Sequence, residues 1–146
     1  MAETSVKTPW HLWLVGVIAI LFNAMGAFDY LMWIAKGPAY MAGAGMTPAQ
    51  IALYQAMPLW ASLIWGLGVF AALAASLLLL LRRRLAGPVF AVSFAAFLLY
   101  MLYIYAIAHG GAAMGQGMAV ASFVIAAMLL FFTWYARVMA ARGVLR

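Results

Sequence analysis

Four apolar runs constrain this chain more than any other feature. They cover about residues 10–35, 59–81, 88–108 and 118–138. About 20 such residues are enough to carry a helix across the hydrocarbon core of a bilayer. The chain is 71% hydrophobic and only 7% charged, where a soluble domain carries about a quarter charged residues. Polar sequence to coat a water-soluble core is therefore missing. The expected fold is an all-α membrane protein, an antiparallel bundle of four transmembrane helices. It forms a single integral membrane domain over residues 1–146.

The absence of cysteine excludes disulfides, thiolate metal sites and thiol redox chemistry. A net charge of +6 raises the question of nucleic acid. The basic residues, however, sit beside hydrophobic spans, and anionic lipid head groups are the nearer explanation for Arg82, Arg83, Arg84, Arg137 and Arg142. No nucleic-acid partner is expected. The short N-terminal stretch leads into the first span without a small-residue cleavage site, so that span reads as retained.

Between the first two spans the chain changes character. Lys36, Gly37 and Pro38 break the first helix, and a glycine- and alanine-rich linker, GPAYMAGAGM, follows. Thr47-Pro48-Ala49-Gln50 then fits a helix start, with Thr47 as N-cap, Pro48 at the first helical position and Gln50 closing a capping box. Pro58 lacks an N–H and would clash with the carbonyl of Tyr54. A short interfacial helix is expected before a bend at Pro58. In the second span Gly68, Ala72 and Ser76 recur every four residues, a stripe that lets another helix approach closely. Arg82-Arg83-Arg84 ends that span, Pro88 can open the third, and AAMGQG is expected to be a short flexible loop before the fourth.

Four spans place both termini on one side. Lys7, Arg82, Arg83, Arg84, Arg137, Arg142 and Arg146 fall there, against Lys36 alone on the other. Positive residues favour the cytoplasm, so both termini are expected inside. Trp10, Trp13, Trp134 and Tyr135 then form an inner aromatic belt, and Trp33, Trp60, Tyr103 and Tyr105 an outer one.

The run WLVGVIAILFNAMGAFDYLM, the TPAQ helix start, Pro58-Leu59-Trp60 and LLLLLRRR resemble a family of small four-helix proteobacterial inner-membrane proteins. Its members are mostly uncharacterised, and some carry an automatic "sugar transporter" label. The resemblance implies a bacterial inner-membrane protein of the architecture already read from the spans.

Chemistry concentrates at Asp29, the one charge inside a hydrophobic run. An Asp at the centre of a membrane helix costs roughly 2.5–3.5 kcal/mol, less towards the interface. Its carboxylate should therefore turn to other helices or to water. It lies roughly 6–9 Å inside the outer end of its helix, at about 1.5 Å per residue. His109, Tyr103, Tyr105 and Gln55 are expected at that depth, Gly26 leaves room one turn inward, and Asn23 lies deeper on an adjacent face. Together they form a candidate ligand- or proton-binding pocket that opens outward. The bland alternative is that Asp29 merely accepts hydrogen bonds and fixes helix register.

No catalytic constellation stands out. There is no second intramembrane carboxylate, no metal-ligand spacing and no phosphate-binding glycine loop. His11 and His109 fall at opposite ends of the bundle, which excludes shared haem ligation within one chain. Neither a metal nor a cofactor is expected. Two function classes remain. One is a non-catalytic bundle that binds a membrane partner or a small apolar ligand, alone or in a homo-oligomer or larger membrane complex. The other is a small solute transporter acting as an oligomer, with Asp29 as its proton or substrate site.

Overall fold

The computed structural model describes residues 6–146. It is an all-α bundle with four helices long and apolar enough to cross a membrane. Helix α1 (Trp10–Lys36) is followed by the short α2 (Pro38–Gly43) and α3 (Pro48–Gln55). Helices α4 (Leu59–Leu80), α5 (Ala86–Leu102) and α6 (Gly111–Ala141) complete the bundle. A π-helical turn, Tyr103–Ile107, prolongs α5.

The helices run antiparallel in chain order. Gly16 on α1 meets Leu80 on α4, and Tyr30 meets Gly66. Gly68 on α4 lies against Ser93 and Ala96 of α5, and Phe90 of α5 stacks on Phe132 of α6. The expected small-residue stripe is a packing face, since Gly68, Ala72 and Ser76 are all buried. Ser93 Oγ donates to the Gly68 carbonyl at 2.7 Å across α4 and α5, a contact that needs the close backbone approach glycine permits. On the opposite side Asn23 Nδ2 donates to Ser76 Oγ at 2.9 Å, and Ser76 donates in turn to Ala72 O. Large apolar side chains such as Leu21, Met25 and Phe28 stand outward, while Ala19, Ala72, Ala75 and Ser76 fill the interior. That distribution suits an apolar solvent, where packing rather than hydrophobicity joins the helices.

The start of α3 follows its sequence signature. Gln50 N donates to Thr47 Oγ1 and Thr47 N to Gln50 Oε1, so the capping box closes. Pro58, in extended conformation, caps α4 and separates it from α3 as expected. Elsewhere the elements depart from expectation. The linker after α1 winds into α2, opened by Pro38. Helix α5 begins at Ala86, two residues before Pro88, because proline needs no partner for its nitrogen in a first turn. The AAMGQG stretch is helical from Gly111, broken only at Gly115 (φ 72°, ψ 175°). Gln50 Nε2 ties this turn to α3 through the Met114 carbonyl at 3.1 Å.

The start of α1, the C-terminal tail and the arginine turn share one end of the bundle, here termed the basic end; the other is the distal end. At the basic end Arg82 takes a positive φ and closes α4 in a Schellman arrangement, with Arg83 N on Leu78 O and Arg82 N on Leu79 O. The turn then grips the C-terminal tail. Arg84 N donates to Arg146 O, Arg146 N to Arg82 O, and the Nε atoms of Arg82 and Arg84 to the carbonyls of Val144 and Leu145. These two arginines, expected to face lipid head groups, spend their Nε donors on the protein itself. Arg83, Arg84, Arg137 and Arg142 are exposed, and Arg82 partly so. The aromatic belts are corrected too. Tyr135 turns inward to His11 Nδ1 at 2.5 Å, and Tyr103 is buried against Trp60.

Candidate functional site

Helices α1 and α6 flank the bundle without packing along their whole length. At the basic half they meet through His11 and Tyr135 and through Phe22 and Phe132. Towards the distal end they part, and a cavity of about 320 Å³ fills the gap between them, α4 and α5. Its mouth lies between Met25 and Asp29 of α1 and Ala121 of α6, all exposed residues that line it.

The walls are graded along the helix axis. Phe22, Ala72 and Leu129 line the deep part, and Tyr54, Trp65 and Tyr100 the distal part. Phe22 and Asp29 are seven residues apart on α1, so the gradient extends over about 10 Å. Among the described residues Asp29 is the one charged side chain in the wall. The three distal rings belong to one aromatic cluster: Trp65 stacks on Tyr100 at 5.7 Å and meets the rings of Tyr54 and Tyr30 edge-on at 5.6 and 5.0 Å. Trp33 closes on Tyr54 at 5.9 Å.

Asp29 accepts a hydrogen bond from Tyr40 Oη on its Oδ1 at 2.5 Å. That donor sits on α2, the helix that sequence reasoning read as a linker. The bond to the carboxylate raises the Tyr40 phenol above its ordinary 10.0, with desolvation and the negative charge of Asp29 adding to the shift. Burial pushes the Tyr54 phenol up. The neighbouring Tyr100 hydroxyl opposes that shift, while Tyr105 and Asp29 add to it. Tyr100 Oη, on a residue 5% exposed, has no partner among the described residues. A buried hydroxyl left in that state calls for an explanation.

The expected pocket residues divide. Asp29 and Asn23 line the cavity, and Asn23, 5% exposed, commits its Nδ2 donor to Ser76. Gln55 and His109 are exposed and stand outside the lining; His109 occupies a left-handed turn (φ 48°) that ends the π-helical segment. Tyr103 and Tyr105 also lie outside it. None of these four bonds to Asp29: Gln55 ends α3, and the π turn alters the facing of the end of α5 that carries Tyr103, Tyr105 and His109. The Tyr105 hydroxyl is buried without a partner among the described residues. Sequence reasoning missed Tyr40, Tyr54, Trp65 and Tyr100. Tyr40 could have been found from the Pro38 helix start, eleven residues beyond Asp29.

No group of three or more His, Cys, Asp or Glu side chains converges among the described residues. No family model, curated protein or solved structure is similar to the chain.

Proposed function

We propose that this chain is a non-catalytic, multi-pass protein of the bacterial inner membrane that binds a small, largely apolar ligand beside Asp29. Both termini lie in the cytoplasm, Arg83, Arg137 and Arg142 meet anionic head groups, and the distal end faces outward. The observation that carries this reading is the cavity of about 320 Å³, mostly apolar, with one carboxylate at its mouth. Ligand pockets of about 300–1,000 Å³ are built in this way, with apolar walls and few polar groups that set orientation. A lateral mouth between α1 and α6 suits entry from the bilayer. The inside placement of the termini rests on the same excess of basic residues as the sequence reading.

Native mass spectrometry from mild detergent tests the binding role. The parent chain should carry a co-purified small molecule. Ala121→Trp, which fills the mouth from an exposed helix position, should lose it while remaining folded. Retention of the same molecule by the variant would remove the cavity as its site. Reporter fusions after Arg84 and Arg146 should read cytoplasmic, and one after Ala44 periplasmic.

A second reading, a small transporter working as an oligomer, is favoured by one feature. The distal half of α6 is exposed on most of its surface, leaving it free to pack against or move relative to another copy. Ligand-dependent flux in proteoliposomes separates transport from binding.

A further inference from the structure

We infer that the occupant of the cavity is a hydrophobic organic monocation, an aryl- or alkylammonium with its charge at Asp29 and its apolar body towards Phe22 and Leu129. This rests on the proposed reading that the cavity binds a ligand, and goes further by assigning the ligand's charge and orientation. Four observations lead to it.

The first is the sign of the charge. The wall holds a carboxylate and, among the described residues, no basic side chain, so an anion would find only repulsion. Second, the carboxylate is incompletely engaged. Tyr40 holds Oδ1, and among the described residues Oδ2 accepts no bond. A carboxylate facing an apolar gap favours a counter-charge there.

Third, the surroundings reject a bare inorganic ion. Calcium demands six to eight oxygen ligands, but the wall offers one carboxylate, and the Asn23 carbonyl oxygen lies six residues from it, about 9 Å along the helix. What shares the wall with Asp29 instead is a group of aromatic rings, Tyr54, Trp65 and Tyr100. Ring faces attract ammonium groups too large to be coordinated, by about 2 kcal/mol or more once water is excluded. Fourth, the buried Tyr100 Oη lacks a partner, and an ammonium N–H would supply one. The deep end, lined by Phe22, Ala72 and Leu129, accepts the rest of the molecule.

The test uses the full chain in lipid nanodiscs with its methionine methyl groups labelled with ¹³C. Met25, Met101 and Met118 line the cavity; the partly buried Met101 and Met118 report occupancy there, while Met25, 68% exposed, also senses probe dissolved in lipid and is read against methionines outside the lining. The probes are the benzyldimethylammonium cation, which carries one N–H, and its uncharged carbon isostere, isobutylbenzene. The cation should shift the three cavity methyls and bind about tenfold or more tightly than the isostere. Asp29→Asn should abolish that preference and Asp29→Glu should restore it. Equal affinity of the parent for both probes overturns the inference but leaves the cavity a ligand site. Shifts by neither probe overturn this inference and the binding role with it. Because the comparison of probes on the parent chain is decisive, failure of Asp29→Asn to fold does not protect the idea.

Discussion

Asp29 was visible in the sequence as the one charge in an apolar run, but its partner was not. The composition argument fixes only that a carboxylate at that depth needs donors. Which donor arrives depends on the short helix α2, whose six residues carry Tyr40 back over the end of α1. The bond has a pH signature. Because Tyr40 donates to the carboxylate, its phenol is raised above 10.0. A group raised in the folded state contributes stability fully below its unfolded pKa and loses it as pH rises through the folded value. The difference in phenolate absorbance between the parent chain and Tyr40→Phe should therefore show a tyrosine titrating above 10. In Asp29→Asn that titration should fall back towards 10. A Tyr40 titration unchanged by Asp29→Asn would show that the bond does not form in the bilayer.

At the scale of elements, the signals that worked were local. Thr47 and Gln50 closed their capping box because both partners lie within one turn, and Pro58 separated two helices because its missing N–H acts wherever the residue sits. The glycine-rich stretches misled, since composition alone does not separate a loop from a helix whose far side is held. Gln50 holds the Met114 turn, and only Gly115 leaves helical geometry. Its φ of 72° and ψ of 175° lie in a region nearly confined to glycine. Gly115→Ala should destabilise the bundle by about 1–3 kcal/mol although no atom lies within 4 Å of the added methyl. Gly117→Ala, two residues on in helical geometry and equally free of neighbours, should be neutral or stabilise by up to about 1 kcal/mol. Thermal unfolding in detergent monitored by circular dichroism separates them, and equal effects would disprove a special backbone role for Gly115.

The whole molecule is closed at its basic end by a device with no sequence signature. Val144 and Leu145 tuck under the arginine turn, 2% and 0% exposed, while the backbones of Arg82, Arg84 and Arg146 exchange hydrogen bonds. Deleting Val144–Arg146 removes these bonds and uncovers the core around Met139. A loss of about 3–6 kcal/mol is expected, from two buried apolar side chains at about 1.5–3 kcal/mol each. Chemical denaturation of the truncated chain checks it, and full stability after truncation would mean that the tail merely rests on the surface.

Sequence alone determined the number and antiparallel order of the long apolar helices, because some 20 apolar residues in a row leave a chain in lipid little choice but a helix; it missed the length of α6, which starts at Gly111 and not near Met118. It also determined the start of α3 and the importance of Asp29. The tertiary structure decided which groups meet. A π turn shifts the facing of Tyr103 and Tyr105, and a short helix delivers Tyr40 to the carboxylate. The splay of α1 from α6 opens a cavity among Tyr54, Trp65 and Tyr100. Each of these depends on contacts between residues distant in the chain and on helix rotations set by packing of small side chains. Hydropathy records that a helix is apolar, but not which of its apolar faces turns inward.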